Sequence, residues 1–169
     1  PPRIDSWPVP DAPLPPLQLT EVERSVAEEL DRIAPVIDEL GERFRGAGHE
    51  LALVGGPVRD AMLGRRHNDL DFATSARPEE TERLLKGWAD AIWDMGRAFG
   101  TIGSRKGDWQ VEITTYRSES YDPSSRKPEV DFGDSLAGDL GRRDFTVNAM
   151  AVLLPGRELE DPYGGVLDL

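Results

Sequence analysis

The sequence predicts a small α/β (α+β) domain, a mixed β-sheet with flanking helices. Two observations carry that reading. Short apolar runs of strand length, such as Leu51 to Val54 and Asn68 to Ala73, alternate with segments whose apolar residues recur at helical spacing. A glycine pair, Gly55-Gly56, joins the first such run to a short helix, the strand-to-helix order of a layered domain. At 169 residues the chain is long enough for one domain with its own hydrophobic core.

Residues 1–19 are rich in proline, with Pro1-Pro2, Trp7-Pro8-Val9-Pro10 and Pro13 to Pro16. They predict an extended arm without a core. Thr20 can cap a helix with Glu21 and Glu23 in its first turn. Val22, Val26, Leu30, Ile33, Ile37, Leu40 and Phe44 then recur at helical spacing, so residues 20–47 predict a helical segment. Pro35 is expected to kink or split it, and Gly46 and Gly48 to end it. The main domain is expected over 48–154. Its first strand is Leu51 to Val54. Gly55-Gly56 turns the chain, Pro57 suits the first position of a helix, and Gly64 stops that helix.

The run Asn68 to Ala73 predicts a second strand, with Asp69 and Asp71 on one face and Leu70 and Phe72 on the other. Pro78 opens another helix. Ala91 to Met95, Thr101 to Arg105 and Gln110 to Arg117 predict further strands. Residues 118–130 have no apolar period and predict a mobile loop. Leu136 to Ala151 predicts a mostly helical stretch, broken near Gly141. Residues 155–169 are expected to lead toward another domain.

The chain has no cysteine, which excludes disulfides and thiolate metal sites and fits a cytoplasmic protein. No apolar run is long enough to span a membrane. The net charge of −12 argues against strong nucleic-acid binding by this chain alone, because phosphate contact drives such binding. It does not argue against a site built on carboxylates and a metal.

Four pieces point to chemistry. Gly55 and Gly56 can let backbone approach a phosphate closely, with Arg59 near enough to pair with a phosphate oxygen; an ordinary tight turn explains the glycines alone equally well. Asp69 and Asp71 can hold magnesium, which takes hard oxygen ligands beside phosphates; a solvated edge strand explains an isolated pair. Glu112, on the strand Trp109 to Tyr116, can join them if that strand lies alongside, as a metal ligand or to orient a hydroxyl; Asp108 is its rival. Arg142 and Arg143 can hold a triphosphate. Asp144 and Asn148, four apart, share a face if helical and can bond a ribose or each other.

Taken together, Val54-Gly55-Gly56-Pro57-Val58-Arg59-Asp60, Leu63-Gly64-Arg65, Asn68-Asp69-Leu70-Asp71-Phe72-Ala73-Thr74, Glu112 to Arg117 and Arg142 to Ala151 resemble, in order, the head domain of class II tRNA nucleotidyltransferases. These are the CCA-adding enzymes, with bacterial poly(A) polymerases as close relatives, in the polymerase-beta-like nucleotidyltransferase superfamily. The likeness covers roughly residues 48–169. It implies a two-metal Mg²⁺ site at Asp69 and Asp71, with Glu112 as third catalytic carboxylate. It implies nucleotide contacts from Gly55, Gly56, Arg59, Arg142, Arg143, Asp144 and Asn148, CTP and ATP as substrates, and the tRNA 3′ end as partner. It matches loop 118–130 to one that helps set up the final A addition, and Asp161 to Gly165 to the link from head to neck. Neck, body and tail would follow Leu169, so a head-domain fragment is expected. A bacterial poly(A) polymerase adding A tails to RNA 3′ ends is the nearest competing reading; a non-catalytic nucleotide- or RNA-binding module and a small-molecule nucleotidyltransferase are the others.

Overall fold

The computed structural model describes residues 19–119 and 130–169. The proline-rich arm and most of the expected 118–130 loop lie outside the described residues. Helix α1 (Leu19–Gly46) comes first, followed by β1 (Leu51–Val54), α2 (Gly56–Met62), β2 (Asp69–Thr74), α3 (Pro78–Leu85), β3 (Ala91–Asp94), β4 (Thr101–Lys106) and β5 (Trp109–Thr115). A short hairpin, β6 (Arg117–Glu119) and β7 (Val130–Phe132), precedes α4 (Leu136–Gly141), β8 (Ala151–Leu154) and β9 (Glu158–Glu160).

Seven strands form one sheet in the order β3-β4-β5-β2-β1-β8-β9. The β2–β5 pair is parallel, and every other pairing among the described strands is antiparallel. The period of two sorts the side chains by face. Leu51, Leu53, Leu70, Phe72, Val111, Ile113 and Val152 join the main core with α1, α2 and α3. The opposite face carries a smaller cluster of Ala52, Val54, Ala73, Tyr116, Leu140 and Ala151. Asp69, Asp71 and Glu112 alternate with the core residues of their strands, so they stand on this second face.

Two expectations are corrected. Helix α1 runs unbroken through Pro35. The proline is exposed, while Ile33, Val36, Ile37 and Leu40 around it are buried in the main core, and that packing carries the helix past its missing N–H. The stretch Leu136 to Ala151 is not mostly helical. After α4 it becomes a turn, then a 3-10 turn at Thr146–Asn148. Ala151 already pairs with Val54 as the start of β8. A buried apolar strand of four residues outweighs the helical spacing there.

Candidate active site

The expected carboxylates meet across the parallel pair. Asp71 stands opposite Glu112, and Asp69 opposite Gln110. The Asp71 and Glu112 carboxyls are close enough for each to change the other's proton affinity. Crowding by surrounding protein atoms pushes the Asp71 carboxyl above the usual range; nearby Arg143 opposes this, and the Asp69 charge adds to it. Glu112 is pushed up as well, by burial first and then by the charges of Asp71 and Asp69. Two like charges at this range favour holding a proton or a cation between them. Asp108, by contrast, is exposed in the β4–β5 turn.

Among the described residues, no three His, Asp or Glu side chains converge as a ready metal cluster. A two-carboxylate set of Asp69 and Asp71 remains. Its donors are all oxygen, and it suits magnesium, which is commonly held by one or two carboxylates and completed by substrate phosphates.

The glycine turn adjoins this pair through β1. Gly55 has φ 71° and ψ −131°, a conformation restricted to glycine. A Cβ there would lie 3.1 Å from Arg143 Nη1, and one at Gly56 would lie 3.6 Å from Arg59 Nη2. Two guanidiniums therefore roof the turn. Arg59 Nη1 donates to Asn148 Oδ1 at 2.9 Å, and its Nε donates to Asp60 Oδ1 at 3.0 Å. Asn148 thus bonds Arg59 rather than Asp144. Asp144 sits exposed in the turn after α4, so the expected shared helical face of the two does not exist.

Two buried acids that sequence reasoning missed hold these arginines. Asp139 is 1% exposed. Its Oδ1 accepts from Arg142 Nη2 and its Oδ2 from Arg143 Nη2, each at 3.2 Å, and Oδ1 also accepts the Arg117 amide at 3.1 Å. The spacing of three and four to Arg142 and Arg143 was the available signal. Asp60, also buried, takes His67 Nε2 at 2.7 Å beside Arg59. Burial works against its charge, but the bonds from Arg59 and His67 outweigh it and hold the carboxyl below the usual range. Arg117 was missed too. Burial lowers its proton affinity first, repulsion from Arg142 and Arg143 adds to that, and Asp139 opposes it. The buried Nε atoms of Arg117 and Arg143 have no hydrogen-bond partner, which fits a surface built to receive an anion.

This arrangement sets oxygen donors beside a cationic, glycine-floored cradle. The CCA-adding enzyme of Bacillus velezensis is 42% identical over 143 residues, covering 84% of this chain and 34% of that enzyme. The solved structure of Bacillus stearothermophilus CCA-adding enzyme in complex with CTP aligns with TM-score 0.65 and 32% identity, over 82% of this chain and 31% of that one. A tRNA nucleotidyltransferase complexed with a primer tRNA and an incoming ATP analog aligns with TM-score 0.62 and 32% identity, over 76% and 36%. The chain spans about a third of the length of the curated relatives it matches. A family model described as the poly A polymerase head domain matches residues 51–169. The chain belongs to that head-domain family, the one it shares with the CCA-adding enzymes.

Proposed function

We propose that this chain is the catalytic head of a cytoplasmic enzyme that adds CTP- and ATP-derived nucleotides to the 3′ end of tRNA. The observation that carries this reading is the pairing of Asp71 with Glu112 beside a glycine turn roofed by Arg59 and Arg143. In the reaction a terminal hydroxyl of the RNA attacks the α-phosphate, and the bond to pyrophosphate breaks. Glu112, with its raised proton affinity, orients that hydroxyl and takes up its proton. Arg59, Arg142 and Arg143 neutralise the triphosphate, and their preset positions are worth more at the transition state than mobile charges. Asp144 is assigned to the ribose. Magnesium bound at Asp69 and Asp71 supplies charge neutralisation at the phosphates and a more acidic hydroxyl. Residues 48–154 form the head, and 155–169 lead toward the neck.

The test is substitution of the dyad in the longest available form of the protein. Asp69→Ala and Asp71→Ala should each abolish Mg²⁺-dependent extension of a tRNA lacking CCA, with the fold retained by circular dichroism. Near-wild-type extension by either variant rejects the metal assignment. The name of the family model favours a second reading, poly(A) polymerase. Product length separates them: addition that stops at CCA marks the first, and a long A tail marks the second.

A further inference from the structure

The site face of the sheet continues past Glu112 to the edge of the domain, and the residues there have no assigned role. Register places four positions in one row across four strands. Asp71 pairs with Glu112, Glu112 with Gly103, and Gly103 with Trp93. Trp93 neighbours Ile92, which packs toward the main core, so the indole faces the other way, with the carboxylates. A Cβ at Gly103 would stand 2.3 Å from Trp93 Nε1 and 2.9 Å from Met95 Sδ. The missing side chain lets the indole lie across β4 toward Glu112. The patch is open: Trp93 is half-buried, Met95 is 44% exposed and Phe99 is 58% exposed.

The strand order says what should lie there. The cationic cradle is built from the β1–α2 turn and from the segment before β8. Both lie on the β1–β8 side of β2. In an in-line displacement the leaving pyrophosphate and the attacking hydroxyl stand on opposite sides of the α-phosphate. With pyrophosphate on the β1–β8 side, the hydroxyl comes from the β5 side, over β4 and β3. A nucleotide presenting its 3′-hydroxyl to Glu112 from that side sets its base above Trp93. An aromatic face suits any base, because stacking needs no hydrogen-bond code.

We propose that Trp93, set over Gly103 and flanked by Met95, is the stacking platform for the 3′-terminal base of the RNA acceptor. This rests on the nucleotidyl-transfer reading, because that chemistry defines the two sides. It adds an acceptor subsite that the carboxylates alone do not specify.

The test uses the full chain with the dinucleotide cytidylyl-cytidine, bearing a free 3′-hydroxyl, titrated with Mg²⁺ and CTP present. Binding is read from tryptophan fluorescence and from nuclear magnetic resonance of the base protons. The wild type should show upfield base shifts and quenching. Trp93→Ala should lose both and bind about tenfold more weakly. Trp93→Phe should keep the shifts, and Gly103→Ala, which displaces the indole, should weaken them. CTP affinity measured by calorimetry should stay within about twofold in all three, a readout that general unfolding would not spare. Wild-type binding of CTP with dinucleotide shifts unchanged in Trp93→Ala overturns this inference alone. Loss of CTP binding together with dinucleotide binding in a folded Trp93→Ala variant overturns it as well. A wild type that binds neither CTP nor dinucleotide overturns this inference together with the reading it rests on. Self-association through the β3 edge, seen by sedimentation and abolished by Trp93→Ala, assigns the patch to a second copy and overturns the RNA platform.

Discussion

Asp71 and Glu112 are held where their charges oppose each other, and this has a sign that can be measured. Both carboxyls bind protons more tightly in the folded state than in the unfolded chain. Their contribution to stability is therefore full below the ordinary carboxylate range and is lost as pH rises through the raised folded values. At neutral pH the ionised pair is a net cost of the fold. Asp71→Asn is expected to raise the melting temperature at pH 7 while abolishing transfer, and the gain should shrink toward zero below about pH 4. Calorimetric melting across that range checks this; a variant no more stable than wild type at pH 7 contradicts it. Asp139 is the opposite case. It is buried and accepts from three residues, so Asp139→Asn leaves Arg117, Arg142 and Arg143 crowded without a countercharge. A loss of about 3 kcal/mol in a denaturant titration is expected. A variant within about 0.5 kcal/mol of wild type would mean that solvent compensates those arginines.

At the scale of elements, α1 is tied to the site as well as to the core. Arg32 stacks over Trp109 at the start of β5, 5.0 Å from the ring centroid. The same guanidinium donates to the His67 carbonyl at 2.6 Å and to Asn68 Oδ1 at 3.2 Å, just before β2. One side chain, braced by Glu29, thus meets the first residue of β5 and the two residues that precede β2. Arg32→Ala should cost about 1–2 kcal/mol of stability by urea unfolding, and an unchanged midpoint would show the tie to be idle. None of this was legible in the sequence, because the helix, the His67-Asn68 loop and Trp109 are far apart in the chain. What was legible were the local features. Strand β1 emerges from an unbroken apolar run, β2 from alternation, and α3 from a proline and an apolar spacing. The partnership of Asp71 with Glu112 followed once two strands were expected side by side. The Arg142–Ala151 stretch misled because its apolar spacing suits a helix. Its residues answer to tertiary partners instead, Asn148 to Arg59 and Ala151 to Val54. Asp139 and Asp60 were passed over because a buried acid looks like a surface acid until its cations surround it.

At the scale of the whole molecule, the net charge of −12 sets a limit on what this chain does by itself. Several cations among the described residues have acidic neighbours: Arg59, Arg142 and Arg143 face Asp60 and Asp139, and Arg157 bridges Asp31 and Asp38 on α1. The curated relatives it matches are about three times as long. The chain alone is expected to bind single-stranded RNA weakly, with a salt dependence corresponding to no more than about two phosphate contacts. Binding measured over a series of salt concentrations checks this, and a steep slope would reveal an RNA track that the acidic surface does not suggest. On the proposed reading, the placement of charge within the fold keeps phosphate handling inside the head.

The one parallel pairing among the described strands, β2 against β5, has a consequence in time. Parallel neighbours cannot be joined by a tight turn, so α3, β3 and β4 must be threaded between them. Contacts so distant in sequence form late, after loop closure has been offset by nearer hairpins such as β4–β5. The mutually repelling carboxylates are then among the last groups to be brought together. On the proposed reading, the reaction centre is then completed only when the scaffold that holds it stands. Backbone amides along this seam should exchange with solvent only through near-global opening, which makes the proposed reaction centre a sensor of whether the sheet around it has formed.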